Sequence, residues 1–169
     1  MKNRFLFICI LVGLMSCKKE DNIRLGQPSP AVFFLKAINH TGEDLINNAG
    51  MGITEADITL EYLVDGERQP APILPGGQPD SPKKLYGITE FADPNIFNGK
   101  VIYFEPAYWI NDQHISTTYL TIKGYGTYVI TTERPSVGSN TTLGKVWING
   151  NLVRETISNE TLVMNFVVN

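Results

Sequence analysis

The feature that most constrains the fold is an alternation of apolar and polar residues along short segments. Residues 57–64 show it most clearly, with Ile58, Leu60, Tyr62 and Val64 on one set of positions and Asp57, Thr59 and Glu61 on the other. Successive side chains of a β-strand point to opposite faces, so this period of two predicts a half-buried strand. No window of a dozen residues has the helical spacing, and only single helical turns are expected, at residues 43–48 and 95–97.

Three dipeptides are typical of tight turns: Asp65-Gly66, Asn98-Gly99 and Asn149-Gly150. A two-residue hairpin turn needs positive φ angles, which glycine, asparagine and aspartate tolerate best. The three pairs therefore predict three antiparallel hairpins.

Further strands are predicted where Val, Ile, Tyr, Phe and Thr cluster, because branched and aromatic side chains fit a pleated surface. These segments are residues 31–37, 100–105, 115–123, 127–132, 144–148, 151–155 and 162–168. The interval between Asp65 and Asn98 contains six prolines. Proline cannot donate to a ladder, so this interval is expected to be mostly loop or edge, with one short strand near residues 84–91.

The spacing of these segments favours an all-β fold, a single antiparallel β-sandwich over residues 31–169. About 150 residues suffice for one domain with its own core. The full chain has 14 basic and 17 acidic residues and no basic cluster in the predicted domain. Nucleic acid is therefore not an expected partner, since binding it requires a positive stripe.

The N-terminus has the order of a secretory signal. Lys2 and Arg4 precede an apolar run over residues 5–15, and Ser16 stands before Cys17. A charged start, a short apolar stretch and a small residue predict a signal peptide, residues 1–16, that is too short to span a membrane. A cysteine directly after the cut predicts a bacterial lipoprotein with acylated Cys17 and a polar tether and linker over residues 17–30. The alternatives are an uncleaved apolar helix or an ordinary signal that leaves a free thiol.

Cysteine usage excludes a disulfide in the mature chain. The sequence contains two cysteines, and Cys9 lies within the predicted signal peptide. Cys17 is assigned to lipid, so the domain must be stabilised by its own core.

Three longer segments carry a resemblance. Residues 40–47 read HTGEDLIN, residues 57–66 read DITLEYLVDG and residues 145–153 read KVWINGNLV. Together they resemble small Bacteroides-type outer-membrane or surface lipoproteins of unassigned function. The resemblance implies an immunoglobulin-like β-sandwich, with a transthyretin-like sandwich as the alternative, and no active site. Residues 18–21, KKED, are similar to the signal that takes such lipoproteins to the cell surface; the alternatives are a generic polar spacer and a location on the periplasmic face.

The inventory of reactive side chains is small, and no catalytic residue, metal site or cofactor is predicted. The two histidines, His40 and His114, lie beside turn residues without partners at a catalytic spacing. Few residues could form the pair of carboxylates that a glycosidase uses, and few could form an incidental Ca²⁺ site. The carboxylate pairs are Glu43 with Asp44 and Glu105 with Asp112, and the Ca²⁺ candidate is Asp93 with Asn95.

The predicted ligand-binding residues are aromatic. Tyr108 and Trp109 follow the end of a strand, and Tyr125 is bracketed by Gly124 and Gly126, so each could present a flat ring to a sugar. The alternative for Trp109 is packing into the core or capping its end, and the alternative for Tyr125 is an exposed turn residue that contacts no ligand. Trp147 is expected to pack into the core within its hairpin.

The sequence is compatible with three functions. The first is a non-catalytic surface module that binds a glycan or an envelope protein, which requires an exposed aromatic or apolar surface. The second is a structural or adhesive module that pairs by strand addition through residues 162–168, which requires an unprotected sheet edge. The third is a glycan-active enzyme, which requires a cleft with two facing carboxylates.

Overall fold

The structure is a computed structural model that describes residues 32–48, 52–73, 84–107, 111–133, 136–137, 140–141, 144–154 and 163–168. Its strands are β1 (Phe33–Ile38), β2 (Ile58–Val64), β3 (Glu67–Pro70), β4 (Tyr86–Asp93), β5 (Phe97–Phe104), β6 (Ile115–Ile122), β7 (Gly126–Glu133), β8 (Ser136–Val137), β9 (Asn140–Thr141), β10 (Val146–Ile148), β11 (Asn151–Arg154) and β12 (Val163–Val167). A single 3-10 turn, Glu55–Asp57, precedes β2.

The strands form two main sheets, which confirms the all-β sandwich. One sheet has four strands in the order β12-β1-β5-β4, and the other has six in the order β11-β10-β7-β6-β2-β3. A separate two-stranded ribbon joins β8 and β9. The choice between an immunoglobulin-like and a transthyretin-like sandwich stays a prediction.

One ladder departs from the antiparallel arrangement. The first strand, β1, pairs in parallel with the last, β12, with Phe34 opposite Val163 and Ile38 opposite Val167. Hairpin turns determine direction only for strands that are neighbours in sequence. The two ends of a domain meet through burial, and the sequence pattern did not indicate their relative direction.

A common core lies between the sheets. It includes Leu35 and Phe104 of the four-stranded sheet and Tyr62 and Leu120 of the six-stranded sheet, all with an exposed fraction of 1% or less. The Tyr62 hydroxyl donates a hydrogen bond of 2.9 Å to the backbone carbonyl of Glu105 across the core. Burial of one face of each sheet explains the period of two in the sequence.

Two of the three predicted hairpin turns are confirmed. Asp65 and Gly66 have φ angles of 52° and 84° and join β2 to β3. Asn149 and Gly150 have φ angles of 49° and 80° and join β10 to β11. Positive φ at both central residues is the geometry that such pairs favour.

The predicted turn at Asn98-Gly99 is wrong. Both residues lie within β5, where Asn98 is opposite Ala92 and Gly99 is opposite Phe91 of β4. The chain turns three residues earlier, and the carboxylate of Asp93 accepts the Asn95 N–H at 2.9 Å. This earlier turn makes β5 eight residues long.

The proline-containing interval holds more strand than expected, because β3 and the eight-residue β4 both lie there. Pro70 is the last residue of β3, an edge strand, where a missing N–H is tolerated. The expected helical turns at residues 43–48 and 95–97 are not helices; both segments contain turn residues. Within the described ranges no helix is long and apolar enough to cross a membrane.

Candidate functional site

The residues predicted to carry function fall in different places. Cys17, Tyr108 and Trp109 lie outside the described residues, as do the signal peptide and the tether. Tyr125 is described and lies in the turn between β6 and β7. Its side chain is half-buried against the core rather than fully exposed, and its backbone carbonyl accepts the Tyr128 hydroxyl at 3.2 Å.

Tyr125 lines an open pocket of about 310 Å³. The pocket wall also contains an acidic residue, Asp57, and a basic residue, Lys123. The lining residues are Gly52, Ile53, Asp57, Lys123, Gly124 and Tyr125. The Asp57 carboxylate accepts hydrogen bonds from the hydroxyl and the backbone N–H of Thr54, which lower its pKa below the ordinary value. That carboxylate therefore caps the turn before β2. The pocket is open and encloses little space for a ligand.

Trp147 does not pack into the core as predicted. It is half-buried on the outer face of the six-stranded sheet, opposite Thr131 and Leu152, while its neighbour Val146 points into the core. A three-residue strand places alternate side chains on opposite faces, and Val146 occupies the inner position.

Four aromatic side chains outside the core lie on the outer side of the four-stranded sheet. Phe34 on β1, Phe97 and Tyr103 on β5, and Phe91 on β4 surround Val101, and we call this set the outer aromatic face. The four rings are half-buried and do not belong to the core between the sheets. An aromatic set on the solvent side of a sheet is the kind of surface that binds ligands or partners.

Two of the four rings pack against each other. The centroids of Phe34 and Phe91 are 5.2 Å apart in an edge-to-face arrangement. The sheet register places Val101 between these two rings, and its exposed fraction is 0% although it points away from the core. The rings of Phe34 and Phe91 therefore flank the buried Val101, while both residues remain half-buried themselves.

Charged groups border the outer aromatic face at the end of β1. The ammonium of Lys36 lies 5.0 Å from the centroid of the Phe97 ring and 3.8 Å from a carboxylate oxygen of Asp44. A cation over an aromatic face is attracted by the ring quadrupole. The outer aromatic face thus combines aromatic rings with a charged rim.

An asparagine holds this rim in place. The Asn47 side chain accepts the Lys100 N–H at 2.8 Å and donates to the Lys100 carbonyl at 3.0 Å, as a neighbouring strand would. It also donates to Asp44 at 2.9 Å. Burial alone would raise the pKa of Asp44, but hydrogen bonds from Asn47 and Ile46 and the charge of Lys36 lower it below the ordinary value.

The candidate acids have structural partners in this region. Glu43 accepts a hydrogen bond from the Asn39 side chain at 2.7 Å, and Asp44 caps the turn that follows it. Glu105 is buried at the end of β5, whereas Asp112 is exposed in the turn before β6.

Both histidines are exposed in turns. In the part of the chain that the structure describes, no group of three His, Cys, Asp or Glu side chains could hold a metal ion.

The edge of β12 differs from the edges of β3 and β4. Edge strand β3 contains Glu67, Arg68 and Pro70, which discourage pairing. The edge of β4 is approached by the carboxylate of Glu55, 3.5 Å from the Ile88 N–H. We define the edge of β12 as the side of Val163–Val167 that faces away from β1. This strand contains no charged residue and no proline.

The outer aromatic face was not predicted, although the sequence contains a signal for it. Residues 31–35, AVFFL, and residues 101–104, VIYF, are apolar at consecutive positions. Such runs are typical of strands that are buried on both faces. The runs by themselves indicate only strands, because the identity of the neighbouring strands decides which rings meet.

Comparison of the chain with protein-family models, with curated proteins and with solved structures finds no match.

Proposed function

We propose that this chain is a non-catalytic, lipid-anchored protein of the bacterial outer membrane whose β-sandwich binds a glycan or a protein partner at the cell surface. The observation that carries the binding role is the outer aromatic face, a set of four half-buried rings outside the core. The anchor rests on the order of Lys2, Arg4, the apolar run, Ser16 and Cys17.

The chemistry of the outer aromatic face supports a glycan as the ligand. Aromatic rings offer large, rigid contact area to the C–H surface of a sugar and lose little rotamer entropy on binding. Lys36 and Asp44 at the rim supply a donor and an acceptor for hydroxyl groups. An exposed peptide with aromatic or apolar side chains would use the same rings.

The binding role is tested with the full chain purified in detergent, applied to a glycan panel and to envelope extract. Phe91→Ala removes one of the two rings that flank Val101, and we expect it to weaken binding by about tenfold. The matched control is Tyr119→Ala, a half-buried aromatic residue of the six-stranded sheet, which should leave binding unchanged. Circular dichroism of both variants checks that they fold.

Three outcomes would contradict this assignment. One is the absence of any ligand in both screens, and another is an equal loss of affinity in Phe91→Ala and Tyr119→Ala. The third is a loss in Tyr125→Ala or Trp109→Ala with full binding by Phe91→Ala, which would move the site to the loops.

The anchor is tested separately by labelling intact cells with a membrane-impermeant reagent. The wild-type chain should be labelled and should fractionate with the outer membrane, whereas Cys17→Ala should lose the acyl chains and leave the membrane fraction. One acyl chain binds a membrane only marginally, so several are needed for stable retention. Equal retention of the two proteins would contradict the anchor.

The second candidate function is adhesion by strand addition at the edge of β12. The observation that favours it is the absence of charge and proline in Val163–Val167, in contrast to the protected edges of β3 and β4. Asn165→Lys should abolish capture of an envelope protein through this edge, whereas Leu152→Lys on edge strand β11 should not. Capture that survives Asn165→Lys would count against this function.

A further inference from the structure

We infer that the edge of β12 pairs with β12 of a second copy of this chain, antiparallel, about a two-fold axis that passes through Asn165. This inference rests on the second candidate function and names the partner at that edge. Its support comes from the backbone direction, the order of side chains and the absence of charge in the strand.

The backbone direction follows from the ladder between β1 and β12. The N–H of Val168 donates to the carbonyl of Ile38 at 2.8 Å, so the backbone groups of Val168 point towards β1. The N–H and C=O of one residue point to the same side of a strand, and the side alternates from residue to residue. The backbone groups of Val163, Asn165 and Val167 therefore point to the free edge.

This arrangement fits a symmetric antiparallel pair. An antiparallel ladder contains pairs of residues that exchange both backbone hydrogen bonds. With the axis at Asn165, that residue exchanges both bonds with Asn165 of the other copy, and Val163 does so with Val167. Every residue of β12 whose backbone groups point to the free edge is thus opposite another such residue of the second copy. No shift in register is needed.

The side chains are self-complementary in the same register. The strand reads VMNFV, so valine meets valine at both ends, Met164 meets Phe166, and the central asparagine meets itself. A two-fold interface uses the same surface on both copies, and like charges opposite each other would weaken it. The strand carries no charge, whereas self-pairing of β3 would bring Glu67 or Arg68 near its own copy.

Pairing would also extend the outer face of the sheet. Val163 is next to Phe34 and Val167 is next to Ile38 in register, and Val167 has an exposed fraction of 49%. A two-fold axis perpendicular to the sheet keeps both outer aromatic faces on the same side. The paired strands are short, so the dimer is expected to be weak and to depend on protein concentration.

The first experiment is site-specific cross-linking of the full chain in detergent, with Cys9→Ala and Cys17→Ala so that one engineered thiol remains. Asn165→Cys, at the proposed axis, should form a cross-linked dimer with a short bifunctional thiol reagent at least about tenfold faster than Leu152→Cys. Leu152 is a fair control because it is 46% exposed on another edge strand. Equal rates for the two variants would overturn the inference.

The second experiment separates the proposed pair from an effect on folding. Asn165→Lys and Asn165→Glu each place like charges across the axis, so each variant alone should sediment as a monomer at concentrations where the wild type forms dimers. An equimolar mixture places opposite charges across the axis and should recover the dimer. A mixture that remains monomeric would overturn the inference.

These results are distinguishable from failure of the proposed functions. A chain that stays monomeric while Asn165→Lys loses capture of an envelope protein would retain strand addition but exclude a second copy as the partner. Glycan binding, measured through Phe91→Ala, is independent of both readouts.

Discussion

The rim of the outer aromatic face depends on the side chain of Asn47, and its removal gives the most informative stability prediction. This amide accepts from and donates to the backbone of Lys100 and donates to Asp44, with distances of 2.8, 3.0 and 2.9 Å. Asn47→Ala removes these bonds and leaves the backbone N–H of Asn47 bonded to Asp44.

The expected loss follows from ordinary hydrogen-bond energies. Each bond contributes about 0.5–1.5 kcal/mol net, and water replaces part of that at an exposed site. We expect Asn47→Ala to lower the free energy of unfolding by about 2 kcal/mol. Asn47→Asp should be at least as damaging, because it sets a carboxylate oxygen against the Lys100 carbonyl and the Asp44 carboxylate.

Equilibrium urea unfolding of the full chain measures this loss. The matched control is Asn48→Ala, the exposed neighbour, whose side chain makes no hydrogen bond to the described residues and whose effect should stay within about 0.5 kcal/mol. If Asn47→Ala and Asn48→Ala unfold at the same urea concentration, the proposed role of the amide as a substitute strand is wrong.

Three further predictions concern the turn, the acid and the core. Gly66→Ala, at a φ of 84°, should cost about 1 kcal/mol in thermal unfolding, whereas Gly52→Ala, which has open space and no positive φ, should not. The pKa of Asp44 is lowered on folding, so its contribution to stability is present above the ordinary value of 3.8 and is lost as pH falls through the lower folded pKa. Asp44→Asn should flatten the fall of unfolding free energy in that acid range, and an unchanged slope would contradict the assignment. Leu120→Ala, at a fully buried position, should destabilise the chain by about 2–5 kcal/mol in urea, and a loss below about 1 kcal/mol would place Leu120 outside the core.

Much of the strand pattern could be predicted because it depends on local chemistry. Residues 57–62 alternate strictly, and the structure forms β2 over Ile58–Val64 with Leu60 and Tyr62 buried. Asp65-Gly66 turns as expected because the pair tolerates positive φ.

The same reasoning failed at Asn98-Gly99. Turn propensity is a local preference, and pairing with eight residues of β4 outweighs it. The chain turns instead in the segment after Asp93, where the Asp93 carboxylate accepts a hydrogen bond from the backbone N–H of Asn95.

The candidate site was less predictable than the strands. Phe34 and Phe91 are 57 positions apart in the numbering, and they meet only because β5 lies between β1 and β4. Trp147 is predicted to pack into the core within its hairpin, but its place in the alternation of β10 puts it outside. A hydrophobic side chain does not reveal which face of a two-sided sheet it occupies.

By itself the sequence determined that this is a strand-rich domain, since the period of two, the branched and aromatic residues and the Asp-Gly and Asn-Gly pairs act through neighbouring backbone angles. Tertiary structure decided the parallel pairing of β1 with β12, the outer aromatic face and the uncharged edge at Asn165. These features depend on which distant strands are brought side by side, and that choice is made by burying one common core rather than by any local preference.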